Sequence, residues 1–195
     1  MKPTLMNILL PLKAFAFGCC LSFASSVFTQ TQTVEPADSA SQAFLLAVEA
    51  ENLPSNVRYV SHFQKIEYPG GDIPADQGVC TDVIIRAFRG IGIDLQVKVH
   101  EHRKSKGLKT EKSIDHRRVP NQAAYFKSEN MEILIPEGQY KVGDIIWWKI
   151  GGPDGANHIG IVVGNGKVMH NIGHGVWADV YPDYYHVHKV YRLPS

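Results

Sequence analysis

The last third of this chain is a succession of short β-rich runs, and no all-helical fold can accommodate it. The runs "EILIP", "GDIIWWKI", "HIGIVVG", "KVMHNI" and "HKVYRLP" are dense in Ile, Val and aromatic residues, and Gly, Pro or Asn punctuates most of them. Helical patterning lies upstream. "SQAFLLAVEAENL" reads as a short helix with Ser41 as its N-cap. Ile84, Ala87, Phe88 and Ile91 recur at i, i+3, i+4 and i+7, a stripe that faces a core. Helices first and an antiparallel sheet afterwards predict an α+β domain. Its 195 residues suit one domain, placed at residues 41–195.

The sheet region contains a hairpin, "NHIGIVVGNGKVMHNIG", whose register decides what two histidines can do. A two-residue Asn165-Gly166 turn would pair Ile161 with His170 and put His158 and His170 on opposite faces. A three-residue Gly164-Asn165-Gly166 loop would pair Val163 with Lys167 and Gly160 with His170. His158 and His170 would then share a face, with Gly160 leaving room between the rings. The three-residue register is the expected one.

The N-terminus reads as an export signal. Lys2 and Lys13 are followed by the short apolar run "AFAFGCCLSF", and "SFA" offers a small-residue cleavage site ending at Ala24. The run is shorter than the ~20 apolar residues of a spanning helix, so residues 1–24 are expected to be removed. No membrane segment then remains. A lipid-modified Cys19 or Cys20 fits less well, because Ala16 and Phe17 do not suit such a site. Residues 25–40 are polar and read as a flexible leader. The mature chain would carry 18 basic and 19 acidic residues, which gives no general attraction to nucleic acid.

Export also leaves Cys80 as the sole cysteine. Exported proteins usually pair their cysteines, so a lone one points to a free thiol kept for reaction. Cys80 stands at the start of the striped helix, where the positive end of the dipole favours a thiolate. A histidine on a neighbouring strand can take the thiol proton, and a second polar group can orient it. His158 and His170 fit those two roles in the expected register. The Cys80 N–H, free at a helix start, can help to hold an oxyanion. In "IDHRRVPN", Arg117 and Arg118 are candidates for binding a substrate carboxylate; the competing role is a structural ion pair with Asp115. Tyr68 and Asp82 are candidate lining residues. Asn171 is an alternative to His170, although alternation sends it to the other face.

"GVCTDVIIRAF", "GDIIWW" and "HIGIVVGNGKVMHN", in that order, resemble the NlpC-type cell-wall cysteine peptidases. More narrowly, "YPGGDIPADQGVCTDVIIRAFRGIGIDLQ", "DHRRVPN" and "HNIG" resemble the bacterial family called domain of unknown function 1287. The narrower resemblance covers about residues 55–195. It implies a papain-like fold, with helices packed on a small antiparallel sheet or half-barrel. Cys80 would be nucleophile, His158 base and His170 orienting residue. It also implies peptide amides of peptidoglycan as substrates, and the expected protein is a monomeric, cofactor-free hydrolase in the periplasm or cell envelope. Acyl transfer by the same triad and a non-catalytic module are the alternatives. "VCTD" replaces the superfamily's "DCSG".

A metal site is the rival reading. His100 and His102, and His186 and His188, are i, i+2 pairs that would share a face on strands. No carboxylate or cysteine stands at a spacing that completes either set. The basic stretch from Lys98 to Arg118 is expected to be a solvated face rather than an anion-binding one.

Overall fold

A computed structural model describes residues 39–136, 138–180 and 186–194. The expected signal segment and most of the leader lie outside the described residues. The first helix, α1 (Ser39–Glu51), starts slightly before the expected cap. Two short parallel-paired strands follow, β1 (Arg58–Tyr59) and β2 (Gln77–Gly78), the second ending one residue before Val79. Helix α2 (Cys80–Gly90) carries the predicted stripe: Ile84, Ala87 and Phe88 are buried. Its start is fixed by Asp82, whose carboxylate accepts the Val79 N–H at 2.7 Å.

The polar middle of the chain, which pattern reading leaves without elements, holds two more helices. Helix α3 (Leu95–Ser105) begins where the Asp94 side chain accepts the Gln96 and Val97 N–H groups. A 3₁₀ turn (Asp115–Arg117) leads into α4 (Val119–Ser128), which has Pro120 in its first turn. The lysines at 98, 104, 106, 109 and 112 are exposed, as a solvated face requires.

The six-stranded sheet is antiparallel throughout: β3 (Glu132–Ile133), β4 (Ile145–Ile150), β5 (Ala156–Gly164), β6 (Lys167–Asn171), β7 (Val176–Val180) and β8 (His186–Tyr191). Spatial order is β3-β8-β4-β5-β6-β7. The α+β architecture is therefore the expected one. Strand β7, unforeseen, forms the far edge and exposes Trp177 and Val180.

Each central strand buries both faces. Ile145, Ile159, Ile161 and Met169 join Leu46, Ile84, Phe88 and Phe126 of the helices in the main core. The Phe88 and Phe126 rings stack at 5.5 Å, and full burial of such side chains contributes roughly 2–3 kcal/mol each. On the second face Ile146, Trp148, Val162 and Val168 form a smaller cluster.

The hairpin reaches its register by an unexpected route. Asn165 and Gly166 have φ of +50° and +68°, the signature of a two-residue type I′ turn. Gly164 pairs with Lys167, but Val162 pairs with Val168 and Ile161 with Met169. A bulge between Val162 and Gly164 supplies the extra residue. The pairing beyond it is that of a three-residue loop, so His158 and His170 share a face.

Candidate active site

Cys80 is 5% exposed and sits at the first residue of α2. Three N–H groups lower the cost of charge on its sulfur: its own, that of Thr81 and that of Ile159. The first two come from the helix start. The third comes from β5, at the residue that follows His158. These donors favour a thiolate, but burial outweighs them and pushes the thiol up to about 12. Asp82, close by, pushes the same way. Burial thus works against the thiolate that the helix dipole favours.

His158 and His170 lie in hydrogen-bond contact, Nε2 to Nδ1, at 2.9 Å. Both are nearly excluded from water. Trp148 packs edge-on against both rings, with centroids at 4.8 and 5.8 Å. Gly160 makes this packing possible, since a Cβ there would lie 2.6 Å from the Val168 side chain and 2.8 Å from the Met169 carbonyl. Burial first, and the His170 charge second, hold His158 down at about 3. His170 is lowered as well, by burial. Thiol and imidazoles are therefore all neutral near pH 7.

A cleft of about 570 Å³ opens over Cys80. Tyr59, Thr81, Arg118, Pro120 and Asn157 help to line it. Tyr59 was not foreseen. Burial raises its phenol pKa, and the nearby Cys80 and Asp82 add to the shift. Its signal in the sequence is faint, because β1 is only two residues long.

The other candidates separate. Asp82 and Arg117 bind each other, Nε to Oδ1 at 2.8 Å and Nη2 to Oδ2 at 3.0 Å, with side chains 3% and 2% exposed. Asp115, the partner expected for Arg117, pairs instead with Arg103 at 3.3 Å. The Arg117 carbonyl accepts the Thr81 hydroxyl, and Gln122 donates to the carbonyls of Thr81 and His116. "DHRRVPN" is thus stapled to the start of the Cys80 helix. Tyr68 lies outside the cleft lining, edge-on to His100 with the Lys112 ammonium over its ring. Asn171 faces away from the histidine pair, as alternation requires. It donates towards the Val57 and Gly78 carbonyls and accepts from the Gly173 N–H, which ties β6 to the segments flanking the cleft.

The rival metal reading fails on geometry at its first pair. His100 and His102 lie on helix α3, where residues two apart do not share a face. His188 packs on Trp147 at 4.4 Å; the His186 side chain lies outside the described residues. Among the described residues no three His, Cys, Asp or Glu side chains gather as a metal site. No helix among them is long and apolar enough to cross a membrane.

Residues 47–193 match the family described as Domain of unknown function (DUF1287). The chain belongs to the DUF1287 family. A relative, the Escherichia coli (strain K12) uncharacterized protein YijF, is 36% identical over 142 residues, covering 64% of this chain and 68% of its own. Solved structures similar to this DUF1287 chain are of the NlpC/P60 kind. The peptidoglycan hydrolase RipB of Mycobacterium tuberculosis is 16% identical, with a TM-score of 0.49 over 83% of this chain and 70% of that one. NlpC2 of Trichomonas vaginalis is 18% identical, with a TM-score of 0.46 over 83% of this chain; the DUF1287 chain spans about half of NlpC2's length (48%).

The neutral histidines of this DUF1287 protein predict its response to acid. His116, 2% exposed, is held down at about 4 by burial, and His158 at about 3. Unfolded histidines bind a proton near 6.5. Below that pH the unfolded chain therefore holds more protons than the folded one. The stabilisation is complete above pH 6.5 and is lost as pH falls towards 4 and then 3. Each group contributes at most about 1.4 kcal/mol per pH unit within its window. Urea midpoints should fall steadily from pH 7 to pH 4.5, and His116→Leu should flatten that fall. Midpoints that stay level over this range would contradict the neutral assignment.

Proposed function

We propose that this protein is an exported cysteine hydrolase that cuts an amide in the peptide part of peptidoglycan. One observation supports the chemistry: Cys80, at the start of α2, lies beside Ile159, the residue after His158, and His158 is hydrogen-bonded to His170. The substrate class follows from the motif resemblance to cell-wall peptidases.

In the tautomer that donates Nε2–H to His170 Nδ1, His158 keeps Nδ1 free as a base. Because thiol and imidazole rest neutral, the proton moves from Cys80 to His158 as the sulfur attacks the carbonyl carbon. His170, accepting from Nε2–H, fixes the tautomer and steadies the imidazolium. The oxyanion that forms is met by helix-start N–H groups and, across the cleft, by the Tyr59 phenol. Collapse expels the amine, which takes the proton from His158, and leaves a thioester on Cys80. Water, deprotonated by His158, releases the acid and restores the thiol.

The test is digestion of purified peptidoglycan with mass-spectrometric analysis of the products. New amine and carboxylate termini within the peptides are expected. Unchanged peptidoglycan would count against the substrate class, and peptides joined to a new acceptor would point to acyl transfer instead.

A further inference from the structure

The described residues include seven arginines, and six of them are paired with an aspartate: Arg58 with Asp76, Arg86 and Arg89 with Asp72, Arg103 with Asp115, Arg117 with Asp82, and Arg192 with Asp144. Arg118 has no such partner. It is exposed, its side chain makes no hydrogen bond or ion pair among the described residues, and it lines the Cys80 cleft. The lining contains no aspartate or glutamate among the described residues.

The surroundings are also arranged for negative charge. Arg118 is the N-cap residue of α4, a ten-residue helix whose first turn holds no acid and whose cap makes no side-chain hydrogen bond. The positive end of that helix is left uncompensated, beside the start of α2. Arg117, a second lining residue, adds an independent sign. Its Nη1 is buried without an acceptor, although Nε and Nη2 are bound to Asp82. An arginine whose neighbour already neutralises the local aspartate, at a mouth with no acid, holds a full positive charge for an incoming group.

We propose that Arg118 holds a free carboxylate of the substrate, so that the cleft selects peptide amides with an acidic group close to the bond being cut. This rests on the hydrolase reading for the identity of the ligand, but not for the existence of the anion site. Arginine meets a carboxylate through two parallel N–H···O bonds, which fixes orientation as well as affinity. The carboxylate would therefore set which amide carbonyl is presented to Cys80. Arg117 acts through Asp82 as a positioning residue, holding the segment that carries Arg118.

The probes are a peptidoglycan tetrapeptide with free carboxylates and the same peptide with every carboxylate amidated. Binding to the Cys80→Ala protein is measured by calorimetry, so that turnover does not interfere. The free peptide should bind about 10- to 100-fold more tightly than the amidated one, the size of a charge-assisted contact. Arg118→Gln should abolish that difference, and Arg118→Lys should restore part of it. Equal binding of the two peptides, an unchanged difference in Arg118→Gln, or no binding of either peptide would overturn the proposal. Tight binding of the free peptide, coupled with no cleavage by the wild-type protein, would uphold the carboxylate site while removing the hydrolase reading.

Discussion

Cys80→Ala protein is expected to fold and to lose peptide hydrolysis by about 10⁴-fold or more, the cost of removing the attacking group from a nucleophile–base set. The fold should survive because the change removes a single buried sulfur, a cavity cost of about 1 kcal/mol. Cys80→Ser should be nearly as inactive. The site is organised to lower the cost of a thiolate, through the N–H groups of Cys80, Thr81 and Ile159. A hydroxyl holds its proton far more tightly, and neutral His158 is a weak base for it. A residual rate within 10-fold of wild type in both variants would mean that another group attacks.

Asp82→Asn is expected to cost about 3–5 kcal/mol of stability, because it leaves the buried Arg117 charge without its partner. That is a large part of the 5–15 kcal/mol typical of a domain. The same substitution weakens the acceptor for the Val79 N–H, so the start of the Cys80 helix should loosen as well. Replacing both partners by apolar side chains, as in Asp82→Leu with Arg117→Met, should cost much less than either charge left alone. Urea unfolding of the single and double variants measures this. A loss below 1 kcal/mol for Asp82→Asn would mean that the pair does not clamp the site.

Periodicity made the striped helix, the sheet and the sharing of a face by His158 and His170 legible. It worked there because burial on one side imposes a strict spacing of apolar residues. It failed where burial does not dictate the spacing. Helix α3 is set by the Asp94 cap and by solvated lysines, so it shows little stripe. The hairpin register was foreseen through a wrong loop: the turn has two residues, and the bulge near Val163 supplies the third. A bulge leaves no mark in a run of valines and isoleucines.

Pairing between distant segments was the least legible part of the site. Arg117 could be expected to find a carboxylate, but Asp82 and Asp115 are both plausible on sequence grounds. Only the docking of the 3₁₀ turn on α2 decides between them. Tyr59 rather than Tyr68 lines the cleft for the same reason: β1 pairs with β2 and brings Tyr59 beside Cys80. The opposing effect of burial on the Cys80 thiol is not legible, because a helix dipole is visible in sequence and the depth of burial is not.

In the proposed reaction Cys80 forms the covalent bond to substrate. The most direct test of this step is to alkylate the protein in steps with iodoacetamide, quantify modified Cys80 by peptide mapping, and assay peptide hydrolysis at each step. Activity should fall in one-to-one proportion with free Cys80 and reach zero at full modification. Substantial hydrolysis by fully alkylated protein would contradict that role for Cys80.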